Sequence, residues 1–434
     1  MHSLFAATLI AGALSGRAYA AQSTEAEQTA LLGHDVECAP YGIPLTTNVL
    51  GQFPPDLGPG VPVTDVRNDT EGLAKFQSIE ANIPKIAVRT ATDTYDGKAD
   101  PDCYWTETQC VAPKASGVNP DIFEVPQPKT LGYGFDDGPA CDHNAFYNYL
   151  AEKKQTATMF YIGKNVMYYP LQAQRAVSDG HEICVHTWSH ALMTRLSNEQ
   201  AFAELWYTIK IIKLVTGVTP TCWRVSIVHT HRILLVFTLR SPPQGDVDDR
   251  IRFIAQSLDL QTIGSRWCWR SDSFDWAAAD PSQGVTAAQV QANYDTLMAS
   301  ANNGDLDTHG AIFLMHENSN FTMQTAVNNY PKLMEAFDYL TPVGVALNKT
   351  GQQTFAAYAK EHPASGSTGA ASGSSSGSTG ISGNTANTNS TKNSTSSGST
   401  SSDSPSGEGA GVALSPRLGF ATLLVGALVF AAAL

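Results

Sequence analysis

Thr130-Leu131-Gly132-Tyr133-Gly134-Phe135-Asp136-Asp137-Gly138-Pro139 is the run on which the reading of the fold turns. Thr130 to Phe135 reads as a strand, and Gly138-Pro139 as the turn that stops it, because proline cannot donate to a ladder. Outward from it the pattern alternates. Asn144 to Lys154 reads as a helix, Ala157 to Ile162 as a strand, and Gln172 to Gly180 as a helix closed by its terminal glycine. His181 to His186 is the next strand, Asn198 to Thr216 a long amphipathic helix, and Ala311 to Met315 a late buried strand. Strands alternating with helices at this spacing imply βαβ units around a parallel sheet or barrel. In such folds the residues just past the C-terminal ends of strands face the site. Asp136 and Asp137 sit there, where paired acids suit one metal ligand and one base. Asp-Asp-Gly-Pro is also ordinary turn chemistry, and the motif alone leaves both readings open.

His186-Thr187-Trp188-Ser189-His190 ends another expected strand. Its imidazoles can converge on one ion if the segment turns helically after the strand, and Asp137 would complete a facial set of two histidines and a carboxylate. Such a set leaves positions open, as catalytic zinc sites do. A pair of surface or capping histidines is the alternative. Leu314-Met315-His316-Glu317 places a third histidine beyond the late strand. A lone histidine there is more often structural, but chance should not select strand ends repeatedly.

The 434-residue chain is 42% apolar, enough for one dominant core. Its formal charge of −13, with 27 Lys and Arg, argues against nucleic acid as a partner. Residues 1–20 form an apolar stretch ending in Ala18-Tyr19-Ala20, the form of a signal-peptidase site; an ordinary buried helix is the alternative. Residues 21–127, rich in Pro, Gly, Asp and Thr, read as an irregular N-terminal segment wrapped on a main domain of 128–360. Residues 361–411 form a Ser/Thr/Gly-rich stalk that cannot bury enough apolar surface to order itself. Residues 412–434 end in an apolar tail behind Ser406, Gly407 and Gly409, the pattern of a glycosylphosphatidylinositol anchor signal; a tail-anchoring transmembrane helix is the alternative. Sequons at Asn68, Asn320, Asn348, Asn389 and Asn393 fit a secretory route. Of seven cysteines, most should pair in an oxidising compartment, with Cys38, Cys103 and Cys110 stapling the N-terminal segment to the domain.

The runs Phe135-Asp136-Asp137-Gly138-Pro139 and His186 to His190, then Cys222-Trp223-Arg224 with the later Pro242-Pro243-Gln244-Gly245-Asp246, resemble ordered motifs of the family 4 carbohydrate esterases, which carry the NodB homology domain. Asp272-Ser273-Phe274-Asp275-Trp276 and Leu314-Met315-His316 complete the series. The resemblance covers about residues 128 to 350, and fungal membrane-anchored chitin deacetylases look nearest. It implies an α/β fold, a distorted (β/α) barrel. It also implies a metal, Zn²⁺ with Co²⁺ accepted, held by Asp137, His186 and His190, with Asp136 as base and His316 as acid. Arg224 would orient the base and Asp275 tune the acid; Trp188, Trp276 and Leu314 would wall the substrate pocket. The implied substrate is chitin or its oligosaccharides, converted to chitosan and acetate by a monomer anchored on the plasma membrane. Hydrolysis of O-acetyl esters is the neighbouring activity, and a catalytically impaired chitin-binding protein the alternative from another class.

Two stretches depart from the family pattern. Val225 to Ser241 separates Arg224 from Pro242, where the family runs on directly. An apolar insert beside an open pocket would expose a hydrophobic patch, so a translated intron or misplaced exon boundary is the preferred reading. A Ser codon cannot end in AG, which a simple in-frame junction after Ser241 would need. If translated, the stretch is expected to keep Arg224 from reaching Asp136. Gly264 to Cys268 is also surplus; dropping it would leave an even cysteine count.

Overall fold

The protein is described by a computed structural model covering residues 22–225, 245–264, 272–349 and 353–364. The expected leader, nearly all of the stalk, the anchor tail with Ser406, Gly407 and Gly409, and the sequons at Asn389 and Asn393 lie outside the described residues. So do 226–241 and 265–268, including Cys268.

The described strands pair in parallel throughout: β1 (Thr130–Gly132), β2 (Gly134–Gly138), β3 (Thr158–Tyr161), β4 (Glu182–Val185), β5 (Cys222–Trp223), β6 (Gln261–Thr262), β7 (Ala311–Ile312) and β8 (Tyr339–Thr341). They form a sheet ordered β7-β1-β8 and another ordered β2-β3-β4-β5-β6. The strand expected over Thr130 to Phe135 therefore serves two sheets. Tyr133 is the pivot: its N–H donates to Thr341 O, and its carbonyl accepts from Thr158 N, each at 2.9 Å. Beyond β7 the chain bridges Leu314 to Asp272 and His316 to Asp136, bringing the last strand end against β2. The result is the distorted barrel, with Leu131, Phe135, Met159, Val185 and Trp223 buried in its layers.

The helices follow local signals. Asn198–Thr216 starts at a reciprocal cap, with Ser197 Oγ accepting from Gln200 N and Gln200 Oε1 from Ser197 N, and ends at Gly217 in the left-handed region (φ 77°). The helix expected over Gln172 to Gly180 is Pro170–Ser178, preceded by a separate turn of helix, Gly163–Tyr168. Pro170 makes the break, having no N–H to continue the first helix and a φ suited to starting the second.

The N-terminal segment is less irregular than its composition suggests. Thr70–Glu80 is helical, capped by Asp69 Oδ1 on Gly72 N, and buries Phe76 and Ile79. Asp69 Oδ2 also accepts from Trp206 Nε1 at 3.1 Å on the long helix. Cys38 bonds Cys141, tying the segment to the loop after β2, and Cys184 bonds Cys222 across β4 and β5. Cys103 and Cys110 instead bond each other, closing a local loop rather than stapling the segment to the domain. The docking there falls to buried Arg252. Its guanidinium donates to both Asp121 oxygens at 2.8 and 2.7 Å and to the carbonyls of Cys103 and Cys110 at 2.6 and 2.8 Å.

Candidate metal and acid–base site

Asp137, His186 and His190 converge where β2 and β4 end. Asp137 Oδ1 lies 3.3 Å from His186 Nε2 and 3.2 Å from His190 Nε2. The backbone achieves this without the helical turn anticipated after β4. Thr187 (φ 61°) and His190 (φ 63°) adopt the left-handed conformation and swing the second imidazole back, while Asp137 does likewise (φ 73°). His186 Nδ1 lies 3.0 Å from Arg224 O, a contact that keeps the proton on Nδ1 and leaves Nε2 with its lone pair toward Asp137.

The donor set fits a divalent cation. One ligand atom from each residue lies within 4.8 Å of the others. Asp137 Oδ1 is buried and, although close to both rings, receives no well-directed hydrogen bond. Such an oxygen is costly unless a cation meets it. Two imidazoles and one carboxylate leave further positions open, as in catalytic rather than structural zinc sites.

Asp136 is fully buried alongside. Its Oδ1 accepts from Arg224 Nη1 at 2.6 Å, while Oδ2 has no hydrogen bond and lies 4.0 Å from His186 Nε2. The expectation that residues 225–241 would withdraw Arg224 is thus overturned. Arg224 N donates to Val185 O at 2.9 Å, and its guanidinium sits 3.9 Å from the Phe160 ring centroid, so β4 and β3 fix the side chain before the chain leaves at Val225. Val225 and Gly245 line one cavity with Arg224, Trp105 and Leu314, so the chain departs and returns beside the same hollow.

His316 faces this pair from the last strand end. Asp275 holds it twice, Oδ1 lying 2.7 Å from His316 Nδ1 and Oδ2 accepting from His316 N at 3.1 Å. Burial pulls the imidazole's pKa down, but Asp275, joined by Asp137 and Asp136, outweighs it and pushes the value up to about 10. At neutral pH His316 therefore carries a proton on Nε2.

Among the expected pocket walls, Trp276 is half-buried with its ring 6.5 Å from His316, and Leu314 is buried beside Arg224. Trp188 is different. It is 3% exposed and stacks on Phe53 at 5.8 Å within the core, so it supports the histidine loop from behind rather than walling the site. Asn68, Asn320 and Asn348 are exposed.

Sequence reasoning missed three supports. Glu204, on the buried face of the long helix, accepts from Val63 N, Trp188 N, Ser189 N and Ser189 Oγ at 2.8 to 2.9 Å, fixing the His-Thr-Trp-Ser-His loop. Asn318 Nδ2 donates to Asp137 Oδ2 at 2.7 Å, and Asn165 Nδ2 to Asp137 O at 2.9 Å. An acid amid the apolar stripe of a helix was a visible signal for Glu204; the asparagines carry none.

Residues 124–232 match the Polysaccharide deacetylase family. A protein named Chitin deacetylase 2 from Cryptococcus neoformans var. neoformans serotype D is 43% identical over 336 residues, covering 75% of this chain and 68% of that one. The Chitin deacetylase of Amylomyces rouxii is 39% identical over 332 residues, covering 74% and 73%. The solved chitin deacetylase of Colletotrichum lindemuthianum aligns with a TM-score of 0.42 at 20% identity, over 54% of this chain and 94% of that one. With relatives matched at this identity across most of both lengths, the chain belongs to the polysaccharide deacetylase family.

Proposed function

We propose that this protein hydrolyses the N-acetyl groups of chitin, releasing acetate and leaving glucosamine units. The identity to named chitin deacetylases across three quarters of the chain supports the substrate. The observation that carries the chemistry is a candidate base, Asp136, and a candidate acid, His316, bridged strand end to strand end beside one candidate cation site.

Asp137, His186 and His190 would hold the metal, and the two-nitrogen, one-oxygen set suits Zn²⁺, with Co²⁺ able to replace it. Such an ion, when bound, supplies Lewis-acid polarisation of the acetamide carbonyl and a more acidic water. Asp136 accepts the proton of the attacking water on Oδ2, because Arg224 occupies Oδ1 and aims the carboxylate. His316 gives its Nε2 proton to the departing amine, Asp275 stabilising the imidazolium until then. Trp276 and Leu314 form the apolar lining beside them.

Asp136→Asn should cut acetate release from chitin oligomers by about 10²–10⁴-fold while zinc still binds. A wild-type domain that binds zinc but releases acetate from acetylated xylan and none from chitin would replace this reading with O-acetyl ester hydrolysis. One observation favours an impaired chain: the family match ends at residue 232, inside the stretch that splits Arg224 from Pro242. Arg224 on Asp136 speaks for activity. Measuring acetate release with and without residues 225–241 separates the two.

The same proposal places the protein outside the cell: a cleaved leader over 1–20, a stalk, and a lipid anchor attached near Ser406, Gly407 or Gly409, holding a monomer on the plasma membrane. Three disulfides and three exposed sequons support an oxidising, secretory route.

A further inference from the structure

The two oxygens of an aspartate exchange by a soft rotation about its last torsion, which has broad, nearly two-fold wells. Nothing in Asp137 itself therefore decides which oxygen faces His186 and His190. Asn318 does. Its Nδ2 donates to Asp137 Oδ2 at 2.7 Å, leaving Oδ1 toward the two imidazoles. Asn318 Oδ1 lies on the other side of the amide, 3.4 Å from Thr322 Oγ1, a hydroxyl whose single proton also meets Ser319 O at 2.9 Å.

Although Asn318 is exposed, its backbone is fixed on both sides. Asp136 N donates to Met315 O at 2.9 Å, and Glu317 N to Asp136 O at 3.0 Å, a register that puts residue 318 beside residue 137. Glu317 is buried beneath Gly138, where an added Cβ would stand 1.5 Å from Glu317 Oε1, and its Oε2 accepts from Tyr147 Oη at 2.8 Å. On the other side Ser319 caps the helix Asn320–Ala336.

We propose that Asn318 is a positioning residue for the metal centre, holding Asp137 Oδ2 so that Oδ1 is presented to the cation. This rests on Asp137, His186 and His190 being the ligands. Groups that hydrogen-bond a metal ligand orient it and raise its affinity, and losing one costs about 10–100-fold.

The test is titration of the chelator-stripped full chain with Zn²⁺ alone, and with Co²⁺ alone followed by visible absorption, for wild type, Asn318→Ala and Asp137→Ala. Asn318→Ala should weaken zinc binding by about 10–100-fold and alter the Co²⁺ bands, with the metal-free unfolding midpoint unchanged. Wild-type zinc affinity in Asn318→Ala overturns the inference, whatever its activity. If Asp137→Ala also binds zinc like wild type, the ligand assignment itself has failed; if it loses zinc while Asn318→Ala keeps it, the positioning role alone has. Should Asn318→Ala unfold early, the isosteric, donor-free Asn318→Leu is read by the same criterion.

Discussion

His316 can act as an acid because a carboxylate in the same buried space keeps its proton on. Asp275→Asn removes that charge, so burial would dominate and the imidazole's pKa would fall. The protonated form would then be lost at lower pH, and the alkaline limb of kcat/KM should move down by more than about one unit; an unmoved limb would assign that limb to another group. At this scale the sequence was most informative about acids and imidazoles, since Asp136, Asp137, His186, His190 and His316 stand at strand ends where packing gives no reason for them. Asn318 and Asn165 were illegible for the opposite reason. Asparagine beside a turn or a helix start is ordinary, and the partner that gives each its meaning is 181 or 28 residues away.

Among the elements, the loop from His186 to His190 shows how a side chain's direction escapes a reading by residue type. An aromatic between two candidate ligands suggested a sugar platform, but left-handed Thr187 turns Trp188 inward onto Phe53 and Tyr207. Trp188→Ala should accordingly cost about 3–5 kcal/mol of stability, the loss expected for a core tryptophan, as measured by denaturant unfolding of the metal-free chain. A pocket wall would lose substrate affinity with its stability intact. The helix Asn198–Thr216 was readable to its ends because Ser197, Gln200 and Gly217 are explicit start and stop signals. β5 and β6 were not, as two residues carry no period. Thr70–Glu80 hid behind Gly72 and a mostly polar surface, its apolar contacts lying on a helix more than a hundred residues on.

For the molecule as a whole, the segment before residue 128 is cross-linked to the domain after it, as expected for Cys38. Cys38–Cys141 spans 103 residues of sequence. Replacing both cysteines by alanine should cost up to about 5 kcal/mol through release of the unfolded chain, read as a lowered unfolding midpoint, whereas the same change at Cys103 and Cys110, only 7 residues apart, should cost less. Equal losses would show that loop length does not set the stabilisation. The cysteine count announced disulfides but not partners, because pairing depends on which chain ends the barrel brings together.

Glu204 carries this furthest. One of the four donors that its buried carboxylate accepts from is Val63 N, in the N-terminal segment, and the others belong to the histidine loop. A recombinant fragment trimmed to start at residue 128 would remove the Val63 donor and the Phe53 ring behind Trp188 together. Anyone choosing where to begin an expression clone should therefore cut upstream of Phe53, and upstream of Cys38 if the cross-link is to survive.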